Sequence, residues 1–448
     1  MVAVANGTNT GAKKRVPVLD GIRGICALGV VFTHVAFATF IRSSTVGPKH
    51  HDIWSILAAG QLSLGPFFLM SGMLLYRPFV RRTFAGTRRP ALGKFFLRRA
   101  SRIIPAFWLV VTVDLLVLNL TALHGPWDVL RPYLLLHIYN FHYYAGMDVL
   151  WTVPVEMQFY LALPVLAWIT HVLARRVDDP VRKSRRMLIP LGVMVLIDLG
   201  WNAWVHWHYQ MWPSQYFYPF GVAGLFAIGM ALAIWSVRAE VAPERAPGFW
   251  RVATRRPNLF WLGAIVAYAV NSAQPFGVPG TADWQTWPAA LVRDAMMMAF
   301  SFLIMVPLVV PNASSRFMQI TLGNLPMRYL GRISYGIYLW HFTMMYFVFR
   351  SGSAFGKIVP VQMLLGKYGF WELLIPVLLG TVAIASISFY VLERPVINLV
   401  ERWVKWNKEQ TASSSAAVRA AQPATPSLVP APAEAPAVES IEPKPASL

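Results

Sequence analysis

Stretches of mostly apolar residues, each about as long as the 20-residue helix that crosses roughly 30 Å of hydrocarbon, recur along nearly the whole chain. Ten such windows are read, at 22–41, 56–76, 103–123, 149–173, 187–205, 217–237, 259–273, 290–310, 329–349 and 372–392. In lipid every backbone polar group must be paired internally, which leaves helices and closed barrels as the only spanning structures, and runs of this length and composition are helical. The expected fold is therefore all-α: a polytopic integral membrane protein with about ten transmembrane helices. A chain of 448 residues that is 56% hydrophobic and only 13% charged lies outside the range of soluble domains, which agrees.

A net charge of +20 raises the question of nucleic acid, but the basic residues follow loop parity instead. Lys13, Lys14 and Arg15 precede the first window, and clusters running from Arg77 to Arg99, Arg175 to Arg186 and Arg238 to Arg256, then Arg316 and Arg328, occupy alternate loops. The intervening loops hold only Arg42, Lys49, Arg131, Lys357 and Lys367. The positive-inside rule then places both termini in the cytoplasm of a multi-pass protein of the bacterial inner (plasma) membrane. Residues 1–17 read as a flexible cytoplasmic tail, 18–406 as the ten-span membrane domain, and 411–448, rich in Ala and Pro, as a disordered cytoplasmic tail. The one cysteine, Cys26, excludes an internal disulfide and reads as a small buried hydrophobe. Chemistry is expected from the membrane body itself.

Ionisable residues inside spans are costly unless paired or facing water, so each is a candidate functional group. Arg23 and His34 lie eleven positions apart on the first window. At 100° per residue both point to one face, about 16 Å apart along the axis. His34 in the first span, Glu156 in the reversed fourth and His341 in the ninth fall at nearly one depth. An imidazole can take a proton from a hydroxyl near neutral pH, and a carboxylate can orient and charge-stabilise it. The competing reading is that these groups hydrogen-bond one another only to fix helix packing. Arg98, Arg99 and Arg102 lead into the third span; they either satisfy the charge rule beside anionic lipid or form a clamp for phosphate and diphosphate oxygens. The aromatic run 201–218 reads as an interfacial belt, and His206 and His208 lack the acidic or thiol company of a metal site, so no metal is expected.

These residues fall in a recognisable order. Leu19-Asp20-Gly21-Ile22-Arg23-Gly24 with His34 after ten residues is joined by Phe67-Phe68-Leu69-Met70-Ser71-Gly72, by Arg99-Ala100-Ser101-Arg102, by the segment from Leu150 to Tyr160 that contains Glu156, by the segment from Ile333 to His341, and by Glu393-Arg394-Pro395. The sequence resembles the acyltransferase-3 family of membrane O-acyltransferases over 18–395. One departure is Met157, where relatives often carry a second acid.

The resemblance implies transfer of an acetyl or other short acyl group from cytoplasmic acyl-CoA to a hydroxyl of a carbohydrate-containing acceptor. A cell-envelope glycolipid such as a trehalose mycolate, or a polysaccharide, is the expected acceptor, with a macrolide or other antibiotic as the alternative. It further implies His34, Glu156 and Arg23 as catalytic residues, and Arg23, Ser71, Arg98, Arg99 and Arg102 at the donor. Tyr335 and His341 are expected at the acceptor. A transporter of lipids or small molecules is the rival from another class; its mark would be repeat symmetry with paired broken helices, which the sequence lacks.

Overall fold

The computed structural model describes residues 17–40, 57, 62–87, 90–139, 144–209, 213–273, 286–313 and 315–421. The N-terminal tail up to residue 16 and the stretch 422–448 of the expected C-terminal tail lie outside the described residues. Among those described there is no β-strand, only helices joined by short turns. Residues up to Val400 form one unit and those from Glu401 a second.

The chain order is α1 Pro17–Ala38, α2 Gly65–Ala85, α3 Leu92–Val113 continued by a wide turn Asp114–Leu118, α4 Pro126–Tyr133, α5 Thr152–Ala174, α6 Pro180–His208 and α7 Ala223–Val241. Then come α8 Gly248–Arg255, α9 Pro257–Ser272, α10 Trp287–Val309, α11 Arg316–Leu322, α12 Leu325–Arg332, α13 Ser334–Phe349, α14 Val361–Leu364, α15 Phe370–Ser388 and α16 Arg394–Ala421. Each expected window thus contains a helix. Among the described residues seven helical stretches are long and apolar enough to cross a membrane: Val18–Ala38, Leu92–Leu118, Thr152–Ala174, Pro180–His208, Pro219–Val241, Trp287–Val309 and Phe370–Asn407. Their outer faces expose Leu161, Trp168, Leu196, Leu379 and Ile387. A water-soluble protein would bury such side chains; here they face the acyl chains of lipid.

Local chemistry sets several boundaries. Asp179 starts α6 by accepting a hydrogen bond from the Arg182 N–H at 2.8 Å, and Pro180 occupies the first turn. That N–H, with help from Arg245, holds the Asp179 carboxyl below the usual carboxylate range. Ser315 and Asn324 start α11 and α12 in the same way. Gly86, with φ of 62°, ends α2 in the left-handed conformation that glycine adopts without strain.

Two expected boundaries are corrected. The helix in the window 56–76 runs on nine residues past its expected end, to Ala85, so Arg77, Arg81 and Arg82 ride on α2 instead of in a loop; residues 56 and 58–61 of that window lie outside the described residues. Both Arg77 and Arg81 pair with Glu240 at the end of α7. The register follows from close backbone approach: a Cβ on Gly72 would collide with the Phe226 backbone, and one on Gly229 with that of Leu69. The window 329–349 splits at Ile333, where Ser334 Oγ donates to the Gly331 carbonyl, into α12 and the shorter α13. Across from this break, Gly331 lies against the Asp20 backbone, and Gly24 meets the Met327 carbonyl. Together they seat α12 on α1 and bring α13 beside His34.

Candidate active site

The first face of α1 is fixed by that seat. Ile22, Cys26, Ala27 and Val30 are buried in the core, while Arg23 and His34 remain partly open. His34 meets α13: its Nδ1 lies 3.0 Å from Nε2 of His341, the rings stack at 5.1 Å between centroids, and Phe342 closes the edge at 5.0 Å. His341 is fully buried, and its Nδ1 lies 2.6 Å from the Tyr338 carbonyl oxygen.

Those two contacts determine the tautomers of a neutral pair. A carbonyl can only accept, so His341 Nδ1 carries the hydrogen and its Nε2 is an acceptor. The bond between the rings then requires His34 Nδ1 to donate, which makes Nε2 the basic nitrogen of His34. His341 therefore does for His34 what a carboxylate does for many catalytic histidines: it sets both tautomer and orientation.

Helix α13 also orders the other polar groups. Tyr335, the first of them, donates its hydroxyl to the Ile103 carbonyl at 3.0 Å and lies within reach of the charges of both Glu156 and Glu393. One turn on, Tyr338 donates to the Val149 carbonyl and receives the Thr152 hydroxyl at 2.9 Å, and it too feels Glu156. His341 follows, then Thr343, whose hydroxyl donates to Asp114 Oδ1 at 2.8 Å. Along this helix the sequence of levels is Glu393, Glu156, the histidine pair and Asp114.

Glu156 on α5 accepts Ser71 Oγ from α2 at 2.7 Å and the hydroxyl of Tyr160, one turn along its own helix. Arg99 of α3 is half-buried, and its charge reaches Tyr160. Its neighbours Arg98 and Arg102, a turn apart, share the exposed face of α3. At the arginine-rich end, Arg23 acts on Glu393, which also accepts Ser388 Oγ at 3.1 Å. The structure thus joins Ser71 to Glu156 and His34 to His341 and sets Arg23 within range of the Glu393 charge, while Arg98 and Arg102 point to a different side from Arg99.

Beyond the histidines the loop before α5 folds over the end of α3. Asn119 ties the two by accepting the Ala145 N–H and donating to the Ala145 carbonyl. Asp148 from this loop lies close to Asp114, and burial pushes its carboxyl up to about 7. His206 on α6 is held by the Asn202 carbonyl and His208 by that of Trp204.

Tyr160, Tyr338, Thr152 and Glu393 belong to this site and carry no role in the sequence reading. The four-residue spacing of Glu156 and Tyr160 was a visible signal. Glu393 was visible only as part of its motif, because its partner Arg23 lies at the other end of the chain.

The sequence matches the family described as acyltransferase domain over residues 16–393. It is similar to YrhL of Bacillus subtilis, a protein named for peptidoglycan O-acetylation, at 22% identity over 406 residues, covering 85% of this chain and 55% of that protein. The O-acetyltransferase OatA of Staphylococcus aureus is 25% identical over 401 residues, covering 85% and 57%. Nodulation protein 10 of Rhizobium leguminosarum is 25% identical over 412 residues, covering 85% and 93%. The chain spans little more than half the length of the two O-acetyltransferases.

Proposed function

The chain belongs to the acyltransferase-domain family, and on that premise we propose that it moves an acetyl or other short acyl group from acyl-CoA to a hydroxyl of a cell-envelope carbohydrate. The observation that carries this reading is the bond between His34 and His341, which fixes the tautomer in which Nε2 is the basic nitrogen of His34. The acceptor hydroxyl gives its proton to His34 Nε2 while its oxygen attacks the thioester carbonyl. The new ester C–O bond forms, the C–S bond breaks, and coenzyme A leaves as thiolate, taking the proton back from the imidazolium. His341 holds the ring through both transfers. Glu156, fixed by Ser71 and Tyr160, supplies the negative charge that favours the transient imidazolium from one level below.

The arginine-rich end is the donor side in this reading, with Arg23 and Arg99 near the phosphates and the acyl arm running inward to His34. Arg98 and Arg102 widen the basic surface at the mouth. Tyr335 stands within range of the charges of both Glu393 and Glu156. Both termini are then cytoplasmic, and the acceptor reaches His34 from the opposite face. A carbohydrate acceptor is supported by relatives named for O-acetyl transfer and, in one case, for peptidoglycan; a glycan strand or a glycolipid headgroup presents the same hydroxyls.

The test uses purified full-length protein in detergent with radiolabelled acetyl-CoA and soluble glycan strands released from peptidoglycan. Wild type is expected to release coenzyme A and label the strands, and His34→Ala to lower both by about a thousandfold. Equal coenzyme A release by the two proteins would overturn the reading.

A further inference from the structure

A second set of buried ionisable groups plays no part in that reaction. Asp198 and Asn202 on α6 face Arg293 and Asp294 on α10, all four at least nine-tenths buried. Asp198 lies ten residues from the end of α6 and Arg293 six from the start of α10, so the cluster sits about 9 to 15 Å in from the end of the bundle opposite the arginine-rich loops. The groups surround a cavity of about 60 Å³ whose walls include Trp151, Tyr216 and Met297.

Part of the cluster is structural. Asp198 has both oxygens bonded, Oδ1 to Asn202 Nδ2 at 2.8 Å and Oδ2 to the Gly224 N–H at 2.7 Å, and so ties α6 to α7. Asp294 is different. Its Oδ2 is buried and accepts no hydrogen bond, and its Oδ1 is 4.0 Å from Arg293, too long for one. A carboxyl left so in a membrane interior either keeps a proton that it can donate or takes a donor from outside the protein, and in both forms it offers a hydrogen bond to a polar group in the cavity. The cavity is large enough for one or two water-sized polar groups and no more.

The lining narrows the ligand. Two carboxylates disfavour an anion, and the Arg293 guanidinium beside them disfavours a cation. A neutral hydroxyl suits both signs, since it donates to Asp294 and accepts from Arg293. Trp151 and Tyr216 contribute apolar wall to the cavity. Trp151 also precedes Thr152, whose hydroxyl bonds Tyr338 beside His341. The cavity wall and the support of the histidine pair are consecutive residues.

We propose that this cavity is an acceptor subsite: it takes a non-reacting hydroxyl or hydroxymethyl group of the carbohydrate, with Asp294 accepting its hydrogen bond, and so presents another hydroxyl of the same sugar to His34. The inference rests on the carbohydrate acceptor of the preceding section. It assigns Asp294, Arg293, Trp151 and Tyr216 to acceptor binding, with no part in donor chemistry.

The test is a kinetic comparison on the full-length protein in detergent, with radiolabelled acetyl-CoA and soluble glycan strands. Asp294→Asn removes the charged acceptor, and Met297→Phe narrows the cavity while leaving every charge in place. Both variants are expected to hydrolyse acetyl-CoA slowly in the absence of glycan as wild type does, water taking the place of the acceptor hydroxyl at His34, which also reports that they fold. With glycan strands, KM for the strands is expected to rise about tenfold while kcat changes less than about threefold. An unchanged KM in either folded variant would overturn the subsite. So would a wild type that releases coenzyme A but labels no strand, whereas failure of His34 to matter would overturn the catalytic reading itself.

Discussion

Two polar regions lie inside this bundle, and they are built on opposite plans. Around His34 each side chain meets another from a distant helix: His341 from α13, and one level away Ser71 with Glu156. Around Asp294 the side chains converge on a small cavity, and one carboxyl oxygen accepts no hydrogen bond from the protein. The first pattern sets tautomers and pre-aligns a base, which a proton transfer requires. The second leaves an unmet hydrogen-bonding demand, which a ligand meets. Asp114 and Asp148, beyond the histidines, each keep a carboxyl oxygen without a donor as well, so the contrast lies between the His34 and Glu156 contacts and Asp294 and not between whole regions.

The largest effect that can break this comparison is at His34. Its replacement by Ala removes the base and is expected to cost about a thousandfold in transfer, read as labelled product per unit time, whereas Asp294→Asn leaves acceptor-independent turnover intact. His341→Ala comes next. It removes the group that holds the tautomer but not the base, and a fall of about 10- to 100-fold in kcat is expected with KM for acetyl-CoA little changed. If KM rises and kcat does not, His341 binds substrate instead of orienting His34.

Smaller effects concern how the scaffold brings the two histidines together. Gly331→Val places a side chain where the Asp20 backbone lies and is expected to destabilise the α1 and α12 contact by about 1 to 3 kcal/mol, seen as a lower melting temperature in detergent. The same change at Gly93, where a Cβ meets nothing, is expected to cost less than half as much.

The smallest effect is a pH dependence above the histidine level. Burial raises the Asp148 carboxyl to about 7, so the folded chain keeps a proton that the unfolded chain has lost. The stabilisation that Asp148 gives relative to Asn is then full below about pH 4 and is lost as pH rises through 7. Burial lowers His137 to about 4, which acts the other way over its lower range, because the folded chain loses stability as that ring is forced to charge. Melting temperatures of wild type and Asp148→Asn from pH 4 to 8 isolate the first term, their difference shrinking with rising pH. A constant difference would mean that Asp148 is ionised throughout.

Much of the fold was legible because hydrocarbon thickness imposes one length on every span and lipid imposes one secondary structure. Helix ends were less so. The extension of α2 past residue 76 goes with Gly72 and Gly229 meeting backbones of another helix, and a hydropathy window that drops at Arg77 cannot register that. The site was legible in part. Arg23 and His34 share a face by spacing alone, and Ser71, Glu156 and His341 stood out as polar residues in or near apolar runs. The same rule applied to Asp198, Arg293 and Asp294, which also lie inside apolar windows, would have marked the second cluster.

The sequence by itself determined that this chain is a helical membrane protein with ionisable groups at chosen depths, since span length, charge parity and helical spacing are local properties. Only the tertiary structure decided that His34 bonds His341, 307 residues away, that Glu156 answers to Ser71 and Tyr160, and that Asp294 faces a cavity. Depth places residues on a level, but which helices are neighbours is settled by where small residues let backbones meet, and hydrogen bonds are made only between neighbours.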